Sequence, residues 1–281
     1  MTYSAQISRM NPTCILLVID QSGSMAEPFG RSDTPGTIKA VVLTQAINRL
    51  LQELVIKCSQ ETEIRRYFQV GVIGYGVALG SALPGSLASA PLVWIDDLAA
   101  NPLRVDDIKK QFPDGAGGLV EMPFRLPIWF DPVADGPTPM RQALATAHSV
   151  LTQWIAQHPS AFPPVVIHFT DGQSTDGDPS EEAGAIRNLE TADGNVLLLN
   201  AHLSSKPGPD FQFPNKDDAL PDAYATMLFR MSSVMPPFMC EAAQAYGYAV
   251  TADSRGYMFN ADPKDVISFL NIGSAGTSQL R

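Results

Sequence analysis

The chain has 281 residues, 45% of them hydrophobic and 17% charged, enough to bury one large core. Its 19 Lys and Arg face 29 Asp and Glu, and the net charge of −10 at pH 7 argues against nucleic acid and anionic lipid as partners. Cys14, Cys58 and Cys240 are odd in number and fit no zinc ligand spacing, so they read as reduced thiols, as in the cytoplasm.

The run from Cys14 to Ile19 is too short for a signal-peptide core or a membrane span, and the expectation is a cytoplasmic protein without a membrane anchor. Residues 13–20 form a continuous apolar run ending in Asp20, the pattern of a strand buried on both faces. A Ser-, Gly- and Pro-rich loop spans 21–36, and an apolar stripe at helical spacing follows over 37–57. Residues 67–75 and 91–95 read as strands that pair back through the turn between them. Residues 105–112 read as a short helix. From 113 to 137 the chain looks irregular but contains Phe124, Ile128, Trp129 and Phe130, so it is taken as an ordered insertion, at about 113–135.

Pro139 opens a helix running to 157, where the missing N–H of proline costs little. A second buried strand, 165–171, again ends in Asp. Further helices are expected at 180–190, 224–231, 237–246 and 263–270, with strands at 195–203 and 257–260. Strands alternating with helices predict an α/β fold: one Rossmann-like, doubly wound, mostly parallel sheet with helices on both faces, in one domain over 1–281.

Ligands of such sheets bind beyond the carboxyl ends of the strands. The first strand runs on as Asp20-Gln21-Ser22-Gly23-Ser24, which resembles the D-x-S-x-S motif of the von Willebrand factor A family. In that family the motif begins a metal-ion-dependent adhesion site. Its other two pieces are a Thr at a helix head and an Asp after a central strand. Thr138 in Gly136-Pro137-Thr138-Pro139 and Asp171 in Thr170-Asp171-Gly172 match them, in the family's order.

The resemblance implies Mg²⁺, or Mn²⁺ or Ca²⁺, touched directly by Ser22, Ser24 and Thr138, with Asp20 and Asp171 acting mainly through water. All five offer oxygen, the donor a hard cation takes. It implies a protein-binding module that recruits an Asp or Glu of a partner, not an enzyme. Intracellular bacterial proteins of this kind often work beside AAA+ ATPases of the MoxR type, or beside kinase and phosphatase partners in stress clusters. Trp129 and Phe130 are candidate partner contacts, since aromatics are enriched at interfaces; covering the sheet edge is the other reading. Asp176 and Asp178 either add charge near the site or cap the next helix. His168 reads as a core histidine. Two alternatives remain: a scaffold subunit whose metal site is merely structural, and a metal-dependent phosphohydrolase. A haloacid-dehalogenase-like hydrolase needs an Asp two residues after its nucleophile, where this chain has Ser22.

Overall fold

The first apolar run forms β1 (Thr13–Asp20), all eight residues of which are buried. Ile15, Leu17 and Ile19 enter one core, while Cys14, Leu16 and Val18 enter the other. A strand covered on both faces has no polar side to alternate with, which accounts for the unbroken pattern. The next helix is α1 (Lys39–Cys58). A small ribbon of β2 (Ser59–Gln60) and β3 (Glu63–Ile64) leads into β4 (Phe68–Tyr75). β5 (Leu79–Ser81) and β6 (Val93–Trp94) both return antiparallel onto β4, and α2 (Ile95–Ala100) follows. The structure, a computed structural model, describes residues 3–29, 36–61, 63–113, 118–204 and 209–276; part of the loop expected at 21–36 and of the insertion expected at 113–135 lies outside them.

The segment 104–128 departs from expectation. In place of a short helix and an irregular stretch, β7 (Arg104–Pro113) and β8 (Leu119–Ile128) pair as an antiparallel hairpin. Val105 and Ile108 have helical spacing, but they face Pro127 and Phe124 across the ribbon. A two-stranded ribbon outside the main sheet has no fully buried face to enforce a period of two, so its pattern is weak. Pro123 and Pro127 obscured the second strand; both are tolerated because each strand of a two-stranded ribbon is an edge.

The chain continues through α3 (Met140–Gln157), β9 (Val165–Thr170) and α4 (Ser180–Asn188). A ribbon of β10 (Glu190–Thr191) and β11 (Gly194–Asn195) precedes β12 (Leu197–His202) and β13 (Phe211–Gln212). α5 (Ala223–Met231), α6 (Pro237–Ala245), β14 (Tyr257–Phe259) and α7 (Pro263–Gly273) complete it. The central sheet runs β13-β14-β12-β9-β1-β4-β5, with β6 also on β4. Its five inner strands, β14 to β4, are parallel. The core beneath α1 and α7 and the core beneath α3, α4 and α5 lie on opposite faces. The architecture is α/β, with a mostly parallel sheet sandwiched between helices.

From β1 the chain moves to β4 on one side and later to β9 on the other. This reversal opens a crevice at the carboxyl ends of β1 and β9, where loops can diverge and ligands can enter. Among the described residues no helix is long and apolar enough to cross a membrane.

Candidate metal centre

Asp20 is the last residue of β1, and Asp171 follows β9 directly. Because the two strands are adjacent and parallel, their carboxylates arrive at the same edge. Asp20 is 2% exposed. Its Oδ1 accepts from the Ser22 backbone N–H at 2.9 Å and its Oδ2 from the Thr170 hydroxyl at 2.9 Å. Burial pushes its pKa up to about 6, against the pull of the Ser22 hydrogen bonds and with the added repulsion of Asp171.

The chain turns after β1 into a short 3-10 turn, Gly23–Ala26. This turn carries Ser22 and Ser24 side by side, their hydroxyl oxygens 3.1 Å apart. Ser24 Oγ donates to Asp171 Oδ1 at 2.9 Å. Asp20, Ser22, Ser24 and Asp171 are therefore one hydrogen-bonded group, drawn from segments about 150 residues apart in the chain.

The loop that carries Thr138 is held beside this group through its backbone. The Gly136 carbonyl accepts from Gly23 N–H at 3.0 Å, which ties the loop before α3 to the serine turn. Thr138 N–H donates to Thr175 Oγ1 at 3.0 Å, and Thr175 N–H donates to the Thr138 carbonyl at 2.9 Å. Thr138 is 6% exposed. Two glycines permit this crowding. Gly136 has φ +86°, and a Cβ there would lie 2.5 Å from Val77 N. A Cβ on Gly76 would lie 2.7 Å from the carbonyl oxygens of both Gln21 and Asp135. Gly76 follows no dinucleotide-loop spacing; it is needed where three chain segments meet.

Asp176 does not cap the helix that follows it. Its carboxylate accepts the Arg141 and Gln142 N–H groups at 3.0 and 2.9 Å, so it caps α3, the helix behind Thr138. Those bonds, with Ser174, hold its pKa down despite a desolvation cost. Asp178 accepts from Ser180 N–H at the start of α4, as a helix-capping residue does.

Lys39 was not among the expected site residues. It is the first residue of α1 and only 2% exposed. Its ammonium donates to Asp171 Oδ2 at 2.7 Å and to Glu27 Oε2 at 3.1 Å. One signal for it was present: a cation in the first turn opposes the helix dipole and needs a local reason. Thr170 escaped notice because its role depends on strand register, not on a motif.

A cavity of about 460 Å³ opens beside Asp171, lined among others by Ser24, Lys39, His202, Asp222 and Tyr224. Burial lowers the pKa of His202 to about 4, and that of His168 likewise, so both are neutral near pH 7. His168 is a satisfied core residue: its Nδ1 lies 2.8 Å from Asn200 Oδ1 and its Nε2 2.7 Å from the Tyr75 hydroxyl. Since Asn200 Oδ1 can only accept, Nδ1 carries the proton and Tyr75 donates to Nε2.

The expectation that Trp129 and Phe130 meet a partner is corrected. They are 1% and 4% exposed and belong to the core on the α1 face. Trp129 Nε1 donates to the Leu98 carbonyl at 2.7 Å, and Asn48 of α1 bonds Trp129 N–H and the Phe130 carbonyl. They anchor the base of the hairpin against α1 and α2.

The two serine hydroxyls and two carboxylates brought together here are all oxygen donors, the kind that suits a hard dication such as Mg²⁺. Among the described residues no three His, Cys, Asp or Glu side chains converge, so an ion here depends on the hydroxyls. The mutual Ser22–Ser24 contact points the same way, since each hydroxyl has lone pairs to spare for a cation.

No family model matches the chain, and no curated protein matches it. Among solved structures it is similar to the PilB minor pilin from Streptococcus sanguinis, at 10% identity and TM-score 0.46, over 96% of this chain and 62% of that one. The pilus adhesin SpaC from Lactobacillus rhamnosus GG matches at 15% identity and TM-score 0.45, over 95% of this chain and 30% of that one. The vWF domain of the type V pili tip protein Mfa5 from Porphyromonas gingivalis matches at 13% identity and TM-score 0.31, over 58% of this chain and 39% of that one. The chain thus spans less than two thirds of each of these. Likeness at this level carries no functional argument, and the α/β architecture rests on the strand order and packing described above.

Proposed function

We propose that this chain is a von Willebrand factor A-type module that binds Mg²⁺, Mn²⁺ or Ca²⁺ and uses it to grip an acidic side chain of a protein partner. Ser22, Ser24 and Thr138 are the direct ligands in this reading, and Asp20 and Asp171 balance the charge through water. The observation that carries it is the union of Asp20, Ser22, Ser24 and Asp171 in one partly buried hydrogen-bonded group at the switch point of the sheet, with the Thr138 loop tied to it by Gly23 and Gly136. When bound, the metal supplies an unfilled position that attracts a carboxylate. The protein residues hold that position in place, and the caps and loop ties fix their geometry beforehand.

Among the described residues at this edge, the serine hydroxyls bond each other and Asp171, which Lys39 neutralises, and neither bonds a histidine. Ser22 stands where a phosphohydrolase of similar sheet would need its acid, and the reading is of a binding protein rather than an enzyme. One observation favours a second reading, a scaffold with a purely structural site: Lys39 already neutralises Asp171 without any metal.

Calorimetric titration with Mn²⁺ decides between them. Wild type should bind, weakly, and Ser22→Ala and Asp20→Ala should not, while circular dichroism shows all three folded. A partner capture assay with and without EDTA, with Asp20→Ala as control, then reads the adhesive step. Equal Mn²⁺ affinity in wild type and Ser22→Ala would overturn the proposal.

A further inference from the structure

The charge of the site is set by more than its metal-binding residues. Asp20 is 2% exposed, and the side chains of Asp171 and Lys39 are 7% and 2% exposed, so all three charged groups are shielded from solvent. Asp171 is bonded on both sides: Oδ1 to Ser24 and Oδ2 to the Lys39 ammonium. The lysine thus lies across one carboxylate from the serine hydroxyls. Glu27, its other partner, has a side chain 54% exposed, where water and salt screen it.

With two buried carboxylates alone, a bound dication would leave the site neutral. The buried ammonium changes the total to one net positive charge. A positive charge near the metal position repels the incoming dication. It also attracts an anion once the dication is bound, and both effects are strong because the groups are shielded from solvent.

We propose that Lys39 is an affinity-setting positioning residue that weakens metal binding in the free protein and strengthens carboxylate binding to the metal-loaded protein. This rests on the metal-site reading above. It predicts that the metal is held firmly only when an acidic ligand arrives with it, so that metal and partner bind as a linked pair.

The test uses the full chain, Mn²⁺ as metal and acetate as carboxylate probe, at constant ionic strength. Mn²⁺ affinity is read by electron paramagnetic resonance of the free ion. Acetate binding to the Mn²⁺-saturated protein is read by proton relaxation of acetate. Lys39→Met should tighten Mn²⁺ about tenfold and weaken acetate by a similar factor. Lys39→Arg, which keeps the charge, should stay near wild type in both. A lysine that only supports the fold would weaken both or leave both unchanged, and any pattern other than opposite shifts overturns the proposal. If Lys39→Met does not fold, Glu27→Gln on the exposed rim decides. Removing that counter-charge should weaken Mn²⁺ and tighten acetate by about threefold, and unchanged values would overturn the idea. If neither wild type nor any variant binds Mn²⁺, the metal-site reading itself fails, a result distinct from binding that is indifferent to Lys39.

Discussion

Asp20→Asn should make the metal-free protein more stable while abolishing its metal site. The carboxylate sits 2% exposed, and burial pushes its pKa from an ordinary 3.8 to about 6. Holding it ionised in the fold at pH 7.5 therefore costs about 3 kcal/mol. Asparagine removes that cost. It keeps one acceptor for the Ser22 N–H but turns an NH₂ toward Thr170, which must reorient its hydroxyl at a cost of about 1 kcal/mol. The net gain is about 2 kcal/mol, or about 4 °C in Tm for a chain of this size. The sign depends on pH. The native state holds the Asp20 proton more tightly than the unfolded chain does, so wild type loses stability as pH rises from 3.8 through about 6 and no further above that. The advantage of the variant should be absent below pH 4 and complete above pH 6. Urea unfolding of both proteins in EDTA at pH 4 and 7.5 measures it. Adding Mn²⁺ should then raise the Tm of wild type and leave the variant unmoved. A variant no more stable than wild type at pH 7.5, or a difference that does not change with pH, would refute the reasoning.

Two further outcomes follow from the core and from the hairpin. The pKa of His168 is lowered from an ordinary 6.5 to about 4, so its contribution is present in full above pH 6.5 and is lost as pH falls toward 4. His168→Gln should lower stability at pH 7 but lose about 3 kcal/mol less than wild type between pH 7 and 4, by urea unfolding at each pH; equal losses would show that His168 does not carry the acid response. Joining Arg104 to Ile128 by a Gly-Gly turn removes most of β7 and β8 but leaves Trp129 and Phe130 in the core, and these residues are opposite each other in the ribbon. Mn²⁺ affinity should stay within about twofold while partner capture weakens, since the ribbon lies outside the central sheet; a lost metal site would show that the hairpin supports the Thr138 loop.

What the sequence determined by itself was the alternation of the central elements and the chemistry of the strand ends. Strands buried on both faces leave unbroken apolar runs, and a helix packed on a sheet leaves a stripe, so β1, β4, β9, α1 and α3 were legible before any contact was known. Asp20, Ser22, Ser24, Thr138 and Asp171 could be named because they resemble, in order, the three motif pieces of the von Willebrand factor A family, each at the end of such an element or in the turn beside one. The hairpin at 104–128 was not legible, because a ribbon with no buried face to enforce alternation, and with prolines in one strand, imposes little on its residue types. Trp129 and Phe130 were equally ambiguous: an aromatic pair looks the same in sequence whether it meets a partner or, as here, is pinned into the core by Asn48 from 81 residues away. Only the tertiary structure decided the electrostatics of the site. The depth of Asp20, the Thr170 hydroxyl on it and the Lys39 ammonium on Asp171 arise where strands β1 and β9 and the first turn of α1 converge, and such convergence depends on strand order and register, which no local pattern encodes.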